Sequence, residues 1–232
     1  MKYLERIDST NEYIKNHLDE LSDFECVFTM NQFKGRGRSG HTWESEPYKN
    51  IAFSILIQDD NFLKKFNLIS ILSSLVVSDC LENIGIKNVK IKWPNDVYVN
   101  NKKICGILLE GNLPKFMILG IGINVNQENF GELEATSIKN ETGVELDPKL
   151  IMVDIVDGFK YRVNYLKDDL GELMEEYCQK DYLLNKTISF MYNGEKLEGI
   201  AKGIDFDGSL KVLYKDTLIN INTNEVNLVR KA

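Results

Sequence analysis

The segment from Gly35 to Trp43 combines backbone freedom with permanent positive charge. Its three glycines can adopt left-handed backbone angles that other residues resist. Arg36 and Arg38 carry planar guanidinium groups that suit a carboxylate or a phosphate. The whole chain is acidic, with a formal net charge of -7. We therefore expect this cationic segment to cover a small anionic ligand.

The surrounding stretch, from Gln32 to Asn50, shows no obvious secondary structure and is longer than most connections in compact domains. A solvated turn, or an arginine–glycine loop that contacts nucleic acid, would have a similar composition. The acidity of the chain and the lack of repeats argue against nucleic acid, and Trp43 is unusual for a disordered segment. We predict a lid that orders when its ligand binds.

A second candidate is the turn Lys92-Trp93-Pro94-Asn95-Asp96, which ends a predicted strand. Turn propensity alone would explain Asn95 and Asp96. As a site, the turn offers a lysine, an amide and a carboxylate that suit a phosphate with its Mg²⁺. Lys103 begins the next predicted strand, where a lone lysine is usually solvated unless the strand end faces the same cleft.

Two further motifs have both structural and functional interpretations. Ser9-Thr10-Asn11-Glu12 fits a capping box, which would explain it without a ligand, although its hydroxyls could also face one. Gly120 and Gly122 interrupt a predicted strand, and strand glycines often mark the close approach of a ligand or another backbone.

Composition excludes several classes of protein. The chain has 232 residues, of which 43% are hydrophobic and 27% charged, as in one large globular domain or in one domain with a small appendage. No stretch is apolar enough to span a membrane, and the N-terminus lacks a secretory signal. The pI of about 5.1 makes nonspecific nucleic-acid binding a poor default. Four scattered cysteines indicate reduced, mostly buried thiols in the cytoplasm: Cys26, Cys80, Cys105 and Cys178.

Hydrophobic periodicity predicts an α+β fold with a mixed, largely antiparallel sheet and flanking helices. Helices are predicted from Asp8, over Phe62 to Asn83 with Gly85 as its cap, and from Asp147-Pro148 to about Leu184. The predicted strands are Phe24–Met30, Ile51–Ile57, Val89–Trp93, Val97–Val99, Lys103–Glu110 and Lys115–Val125. From Lys186 onward, hairpin signals such as Asn193-Gly194 and Asp207-Gly208 predict a small β-barrel. We place a domain boundary near Asn185, between residues 1–184 and 185–232.

In order and spacing, these motifs resemble the biotin protein ligases over nearly the entire chain. The matching segments are Asp8–Asn11, Gln32, Gly35–Gly40 with Trp43, Lys92–Asp96, Lys103 with Gly106–Glu110, Gly120–Asn124, Gly199–Asp205 and Gly208–Leu210. The resemblance implies a catalytic domain of the class II synthetase-like kind and a small SH3-like C-terminal β-barrel.

The resemblance also implies a two-step reaction. Biotin and Mg²⁺-ATP would give biotinyl-5′-AMP, and a lysine of a biotin carboxyl carrier protein would then accept the biotin. By analogy, Lys103 and Arg38 are catalytic. The implied biotin contacts are Ser9, Thr10, Asn11, Gln32, Gly35, Arg36, Gly37, Arg38, Lys103 and Gly106. The implied ATP contacts are Arg38, His41, Trp43, Lys92, Asn95, Asp96 and Asn124, with Mg²⁺ near Asp96.

The chain departs from the family at His41, where many members carry an arginine. Some members also have an N-terminal helix-turn-helix domain, for which the start of the motif at Ser9 leaves no room, so we expect no operator DNA binding. A homodimer through sheet edges stays open. The alternatives are a lipoate protein ligase or octanoyltransferase of related fold, and a non-catalytic biotin-binding regulator.

Overall fold

A computed structural model describes residues 1–167, 170–192, 194–222 and 230–231. Its strands are β1 (Lys2–Tyr3), β2 (Cys26–Thr29), β3 (Gly35–Arg36), β4 (Thr42–Trp43), β5 (Ile51–Ile57), β6 (Val89–Lys92), β7 (Asp96–Val99), β8 (Lys102–Asn112), β9 (Phe116–Ile123), β10 (Thr187–Tyr192), β11 (Glu195–Ile204), β12 (Leu210–Tyr214), β13 (Thr217–Ile221) and β14 (Arg230–Lys231). Its helices are α1 (Thr10–Asn16), α2 (Asp60–Leu63), α3 (Phe66–Asn83), α4 (Ile138–Thr142), α5 (Pro148–Arg162) and α6 (Gly171–Lys180).

The larger sheet has seven strands in the order β1-β2-β5-β9-β8-β7-β6. Only the β1–β2 pair is parallel, and every other neighbouring pair is antiparallel. Short connections such as the one between β8 and β9 produce this pattern, because antiparallel neighbours can be joined by tight turns. The predicted mixed, largely antiparallel sheet is confirmed.

Both faces of this sheet are covered, which explains why β5 is apolar at every position but Ser54. Phe53, Ile55 and Ile57 belong to the main core, where α3 and α5 also pack. Leu56 belongs to a second cluster with Ile14 of α1 on the opposite face. Since successive strand residues point to opposite faces, a strand covered on both sides needs apolar residues at both parities.

The C-terminal strands form a separate five-stranded antiparallel sheet in the order β13-β12-β11-β10-β14. The predicted small β domain is confirmed. Its sheet starts at Thr187, and the predicted boundary near Asn185 stays a prediction. Asn193 of the predicted Asn193-Gly194 turn lies outside the described residues, as do residues 223–229 and 232 of the predicted domain.

Two expectations from the sequence have clear outcomes. Gly85 has φ +94° just beyond α3, as expected for its predicted role as a cap. The expectation that the stretch from Gln32 to Asn50 lacks secondary structure is wrong. β3 and β4 pair as a small hairpin, in which Gly35 lies opposite Trp43 and Arg36 opposite Thr42. Because each strand is only two residues long, periodicity could not reveal it.

Three of the four cysteines are buried, and all four are free thiols. In the part of the chain that the structure describes, no helix has the length and apolar character needed to cross a membrane.

Candidate functional site

A cavity of about 250 Å³ lies between the larger sheet, the start of α1, the β3–β4 hairpin and the β6–β7 turn. Most of the residues selected from the sequence line it. They are Ser9, Thr10, Asn11, Gln32, Arg36, Gly37, Arg38, His41, Trp43, Lys92, Asn95, Asp96, Lys103 and Gly106. The fold therefore gathers side chains from five separate segments at one place.

The other two selected residues, Gly35 and Asn124, lie outside the cavity lining. A Cβ atom on Gly35 would lie 2.4 Å from the Trp43 carbonyl oxygen, so the glycine allows the hairpin to close. Asn124 is buried, and its amide donates to the Thr136 carbonyl at 3.0 Å. The ligand contacts implied for both residues stay predictions.

Small residues in register across three strands form the cavity floor. One row pairs Ala52 of β5 with Gly122 of β9, which in turn pairs with Gly106 of β8. The next row, two residues along, pairs Ser54 with Gly120. Apart from Leu108 of β8, which pairs with Gly120, the residues of these two rows are small, and space is left above the sheet for other groups. The sequence indicated that other groups approach the strand glycines closely, and the structure shows which residues are the partners of Gly120 and Gly122.

Asn11 and Trp43 are those partners. A Cβ atom on Gly120 would lie 2.3 Å from Asn11 Oδ1, and one on Gly122 would lie 2.6 Å from Trp43 Cε2. The Trp43 ring also lies under the Lys103 ammonium group, whose Nζ is 5.5 Å from the ring centroid. The Asn11 amide therefore borders the cavity above the Gly120 row. The Trp43 ring and the Lys103 ammonium group border it above the Gly122 row.

The neutral end is a chain of polar groups around the start of α1. The Thr10 backbone N–H donates to Gln32 Oε1 at 2.9 Å, and the Thr10 hydroxyl lies 3.3 Å from the same oxygen. Ser54 Oγ lies 2.7 Å from Thr10 Oγ1 and 2.6 Å from Asn11 Oδ1. Such a network of fixed donors and acceptors suits an uncharged polar ligand group.

Ser9 explains why α1 begins here. Its hydroxyl accepts from the Glu12 backbone N–H at the first turn, as the capping motif predicts. In a capping box the Glu12 side chain would accept from the Ser9 backbone N–H, but here that N–H donates to Asp8 Oδ1 instead. The Glu12 carboxylate is consequently available to Arg36, with which it forms a 2.8 Å ion pair.

The charged end contains Lys103, Asp96 and Arg38. Lys103 Nζ lies 2.7 Å from Asp96 Oδ1. Arg38 Nη1 donates to Asn95 Oδ1 at 3.5 Å. Burial lowers the pKa of the Arg38 guanidinium, and the negative charge of Asp96 opposes that change. An anion entering this end would meet two cations held in place by the Asn95–Asp96 turn.

Lys103 reaches the cavity because of an irregularity in β8. Val97 pairs with Cys105, whereas Tyr98 pairs with Lys103, so the register shifts by one residue at Ile104. Lys103 and Gly106 both line the cavity, although an odd separation would place them on opposite faces of a regular strand. β-Bulges commonly re-aim side chains in this way beside functional sites.

The turn that carries Asn95 and Asp96 is anchored on both sides. Asn95 Nδ2 donates to the Ile107 carbonyl at 2.6 Å, and Ser70 Oγ of α3 donates to the Pro94 carbonyl at 3.0 Å. The buried Trp93 donates to the Gly208 carbonyl of the C-terminal domain at 3.0 Å. The small C-terminal domain therefore holds the turn in place through this hydrogen bond to Trp93.

Sequence reasoning missed Ser54, gave no role to the side chain of Glu110, and gave Glu12 a place only in the capping box. Glu110 accepts from Arg36 and from Asn11, and it therefore joins the hairpin to α1. Spacing alone carries no signal for the contacts of Ser54 and Glu110, since they join residues 43 to 99 positions apart. His41 is exposed, and its backbone closes the hairpin by accepting from the Gly37 N–H at 2.7 Å.

The protein donors near Asp96 do not form a complete metal cage. Across the described ranges, no group of three or more His, Cys, Asp or Glu side chains is arranged to hold a metal ion. A single carboxylate is nevertheless what Mg²⁺ commonly takes from a protein when phosphate oxygens supply the other ligands.

Comparison with known proteins places this geometry in context. Residues 3–126 match the biotin/lipoate A/B protein ligase family, and residues 183–229 match the biotin protein ligase C-terminal domain. The biotin–[acetyl-CoA-carboxylase] ligase of Paracoccus denitrificans is 28% identical over 223 residues, which cover 89% of this chain and 91% of that protein. The bifunctional ligase/repressor BirA of Escherichia coli is 26% identical over 222 residues, covering 92% of this chain and 68% of that protein.

A solved structure is similar over nearly the full length. It is the biotin protein ligase from Aquifex aeolicus in complex with biotin and ATP, with a TM-score of 0.89 and 28% identity. The superposition covers 99% of this chain and 98% of that one.

Proposed function

Because the chain belongs to the biotin/lipoate A/B protein ligase family and is a biotin protein ligase, we propose that its cavity holds biotin and ATP side by side. The observation that carries the proposal is the pairing of a neutral polar end with a cationic end in one cavity. Biotin has a ureido group at one end and a carboxylate at the other, so the two ends of the cavity match it. ATP adds phosphate charge beside the carboxylate.

The proposed biotin contacts follow from this orientation. Thr10, Gln32 and Asn11 face the ureido group, and Ser9 orients them as the cap of α1. The small residues of the sheet leave room for the ring system. Lys103 contacts the carboxylate, and its positive charge offsets the free-energy cost of removing the carboxylate from water.

In the first step, a biotin carboxylate oxygen attacks the α-phosphorus of ATP. A new P–O bond forms, the bond to the β-phosphate oxygen breaks, and pyrophosphate leaves. Negative charge develops around the α-phosphate, where Lys103 and Arg38 act as electrostatic stabilisers and not as nucleophiles. Asp96 would hold the Mg²⁺ that accompanies ATP, and the ion would supply further positive charge to the phosphate oxygens.

In the second step, the amine of a carrier-protein lysine attacks the acyl carbon of biotinyl-5′-AMP. An amide bond forms, the acyl–phosphate bond breaks, AMP leaves, and the amine gives up a proton to solvent. The adenylate must be kept from water between the two steps. The β3–β4 hairpin, with Arg38 and Trp43, covers the cavity and serves this purpose.

The acceptor that we propose is a biotin carboxyl carrier protein of the acetyl-CoA carboxylase type, in accordance with the name of the Paracoccus denitrificans relative. The free, mostly buried cysteines support a reducing compartment, and we place the enzyme in the cytoplasm. The acidic composition supports a ligase without an operator-binding role.

The decisive experiment is biotin-dependent exchange of radiolabelled pyrophosphate into ATP. We expect exchange with biotin and none with lipoate, because residues 183–229 match the biotin protein ligase C-terminal domain. Transfer of biotin to a carrier domain then tests the second step. Exchange that depends on lipoate alone would favour the lipoate protein ligase or octanoyltransferase alternative. Tight biotin binding without exchange would favour the non-catalytic biotin-binding regulator.

A further inference from the structure

We propose that Glu110 is a positioning residue of the biotin site, which fixes Asn11 and the β3–β4 hairpin at the same time. The inference rests on the proposed function, because it concerns how the neutral end of the same cavity is held. It assigns to Glu110, Arg36 and Glu12 a role that differs from ligand contact.

The first observation is the direction of the Arg36 side chain. Its Nη2 lies 2.9 Å from Glu110 Oε1 and 2.8 Å from Glu110 Oε2, and its Nη1 lies 2.8 Å from Glu12 Oε2. One guanidinium group therefore joins the hairpin, the first turn of α1 and strand β8. Two carboxylates surround it, so its charge is satisfied within the protein.

The second observation is that Glu110 has another partner. Its Oε2 accepts from Asn11 Nδ2 at 2.8 Å, and Asn11 is buried. Asn11 Oδ1 lies 2.6 Å from Ser54 Oγ, which continues the chain to Thr10. A continuous series of polar contacts thus runs from Arg36 through Glu110 to the groups assigned to the ureido end.

The orientation of Asn11 depends on this carboxylate. The side-chain amide of Asn11 has a donating NH₂ group and an accepting oxygen, whereas an ionised carboxylate such as that of Glu110 is an acceptor only. The Asn11 NH₂ group is therefore directed to Glu110 and its oxygen to Ser54. Asn11 Nδ2 also donates to the Leu108 carbonyl, but at 3.5 Å against 2.8 Å to Glu110. Without Glu110 only this longer contact would hold the amide, and the contacts of Asn11 with Ser54, and of Ser54 with Thr10, would lose their arrangement.

The geometry also distinguishes this cluster from ordinary surface pairs, which contribute little to stability. The side chains of Arg36, Glu12 and Glu110 are 40%, 27% and 33% exposed. Solvent therefore screens each pair in part, but a guanidinium shared by two acids forms a network with defined directions. Arg36 consequently orders the hairpin, whereas Arg38, beside Asn95 and Asp96, is the arginine at the cationic end of the cavity.

The test is a set of variants measured for biotin affinity and for chemistry separately. We expect Glu110→Ala to weaken biotin binding about tenfold, because roughly one hydrogen bond to a charged group is lost. Its single-turnover rate of biotinyl-5′-AMP formation at saturating biotin should stay within about twofold of the wild type. Glu110→Gln keeps an acceptor for Asn11 and should recover most of the biotin affinity.

The matched control is Glu128→Ala, which removes a carboxylate that lies 2.9 Å from Lys139 outside the cavity. It should leave biotin affinity unchanged, and thermal unfolding of each variant shows whether it folds. Biotin affinity of Glu110→Ala within twofold of the wild type would overturn the inference, as would a failure of Glu110→Gln to improve on Glu110→Ala. An inactive wild-type enzyme would instead count against the proposed function, so the two failures are distinguishable.

Discussion

The indole Nε1 of Trp93 donates a hydrogen bond to the carbonyl oxygen of Gly208, which lies 115 residues further along the chain, at 3.0 Å. Trp93 immediately precedes the part of the turn that presents Asn95 and Asp96. Gly208 belongs to the C-terminal β domain and has φ +81°. The C-terminal domain thus contacts the turn that carries Asn95 and Asp96, at the proposed nucleotide end of the cavity.

Gly208→Ala should destabilise the protein more than a comparable glycine substitution elsewhere. The new Cβ would lie 2.7 Å from Asn67 Cβ of α3, and the left-handed angle adds about 1 kcal/mol of strain. The control is Gly143→Ala, which has φ +77° but no atom within 4 Å of the new Cβ. Urea unfolding of both variants checks this, and equal losses of stability would show that the contact with α3 is unimportant.

Two substitutions in β9 should separate the ends of the cavity. Gly120→Ala would displace Asn11 and raise KM for biotin, whereas Gly122→Ala would displace Trp43 and raise KM for ATP, each by about tenfold or more. Steady-state kinetics with each substrate varied in turn measures the difference. Gly158→Ala in α5 is the control. A rise in the same constant for both variants would contradict the assignment of separate ends.

Lys103→Ala should slow adenylation far more than it weakens biotin binding. The charge that Lys103 meets develops in the transition state, so we expect a rate about 100-fold or more lower. Single-turnover formation of biotinyl-5′-AMP and calorimetric biotin affinity measure the two effects. Lys115→Ala, at an exposed lysine, is the control. A loss confined to biotin affinity would argue against transition-state stabilisation.

Asp181 should make the stability of the enzyme depend on pH. Burial raises the pKa of its carboxyl to about 6, although the Leu183 N–H donates to it at 2.7 Å. The native state therefore binds this proton more tightly than the unfolded chain does. The stabilisation is complete below about pH 4, the ordinary value for aspartate, and is lost as the pH rises through about 6.

We therefore expect Asp181→Asn to be more stable than the wild type at pH 8, by at most about 3 kcal/mol. The difference should shrink as the pH falls to 4. Denaturant unfolding at both pH values measures it, with the exposed Asp157→Asn as control. A difference that is the same at both pH values would show that Asp181 ionises normally in the native state.

Much of the fold could be predicted from local pattern. Ile51–Ile57 is apolar at every position but Ser54, and the strand has the predicted bounds because both of its faces are buried. Ser9 caps α1 because its hydroxyl satisfies a free N–H within the same turn, which is a local effect. Residue types and their order likewise indicated which segments would carry the site.

Contacts between distant segments could be decided only by the tertiary structure. Lys103 meets Asp96 because the register of β8 shifts at Ile104, and nothing in the alternation of residues near Lys103 reveals such a shift. Arg36 and Arg38 are hard to tell apart in the sequence, since both have the same charge and both adjoin Gly37. Packing separates them: Glu12 and Glu110 bind Arg36, while Arg38 lies beside Asn95 at the cationic end of the cavity. The physical reason is that charge and propensity belong to single residues, whereas a partner is determined by which strands and helices come together.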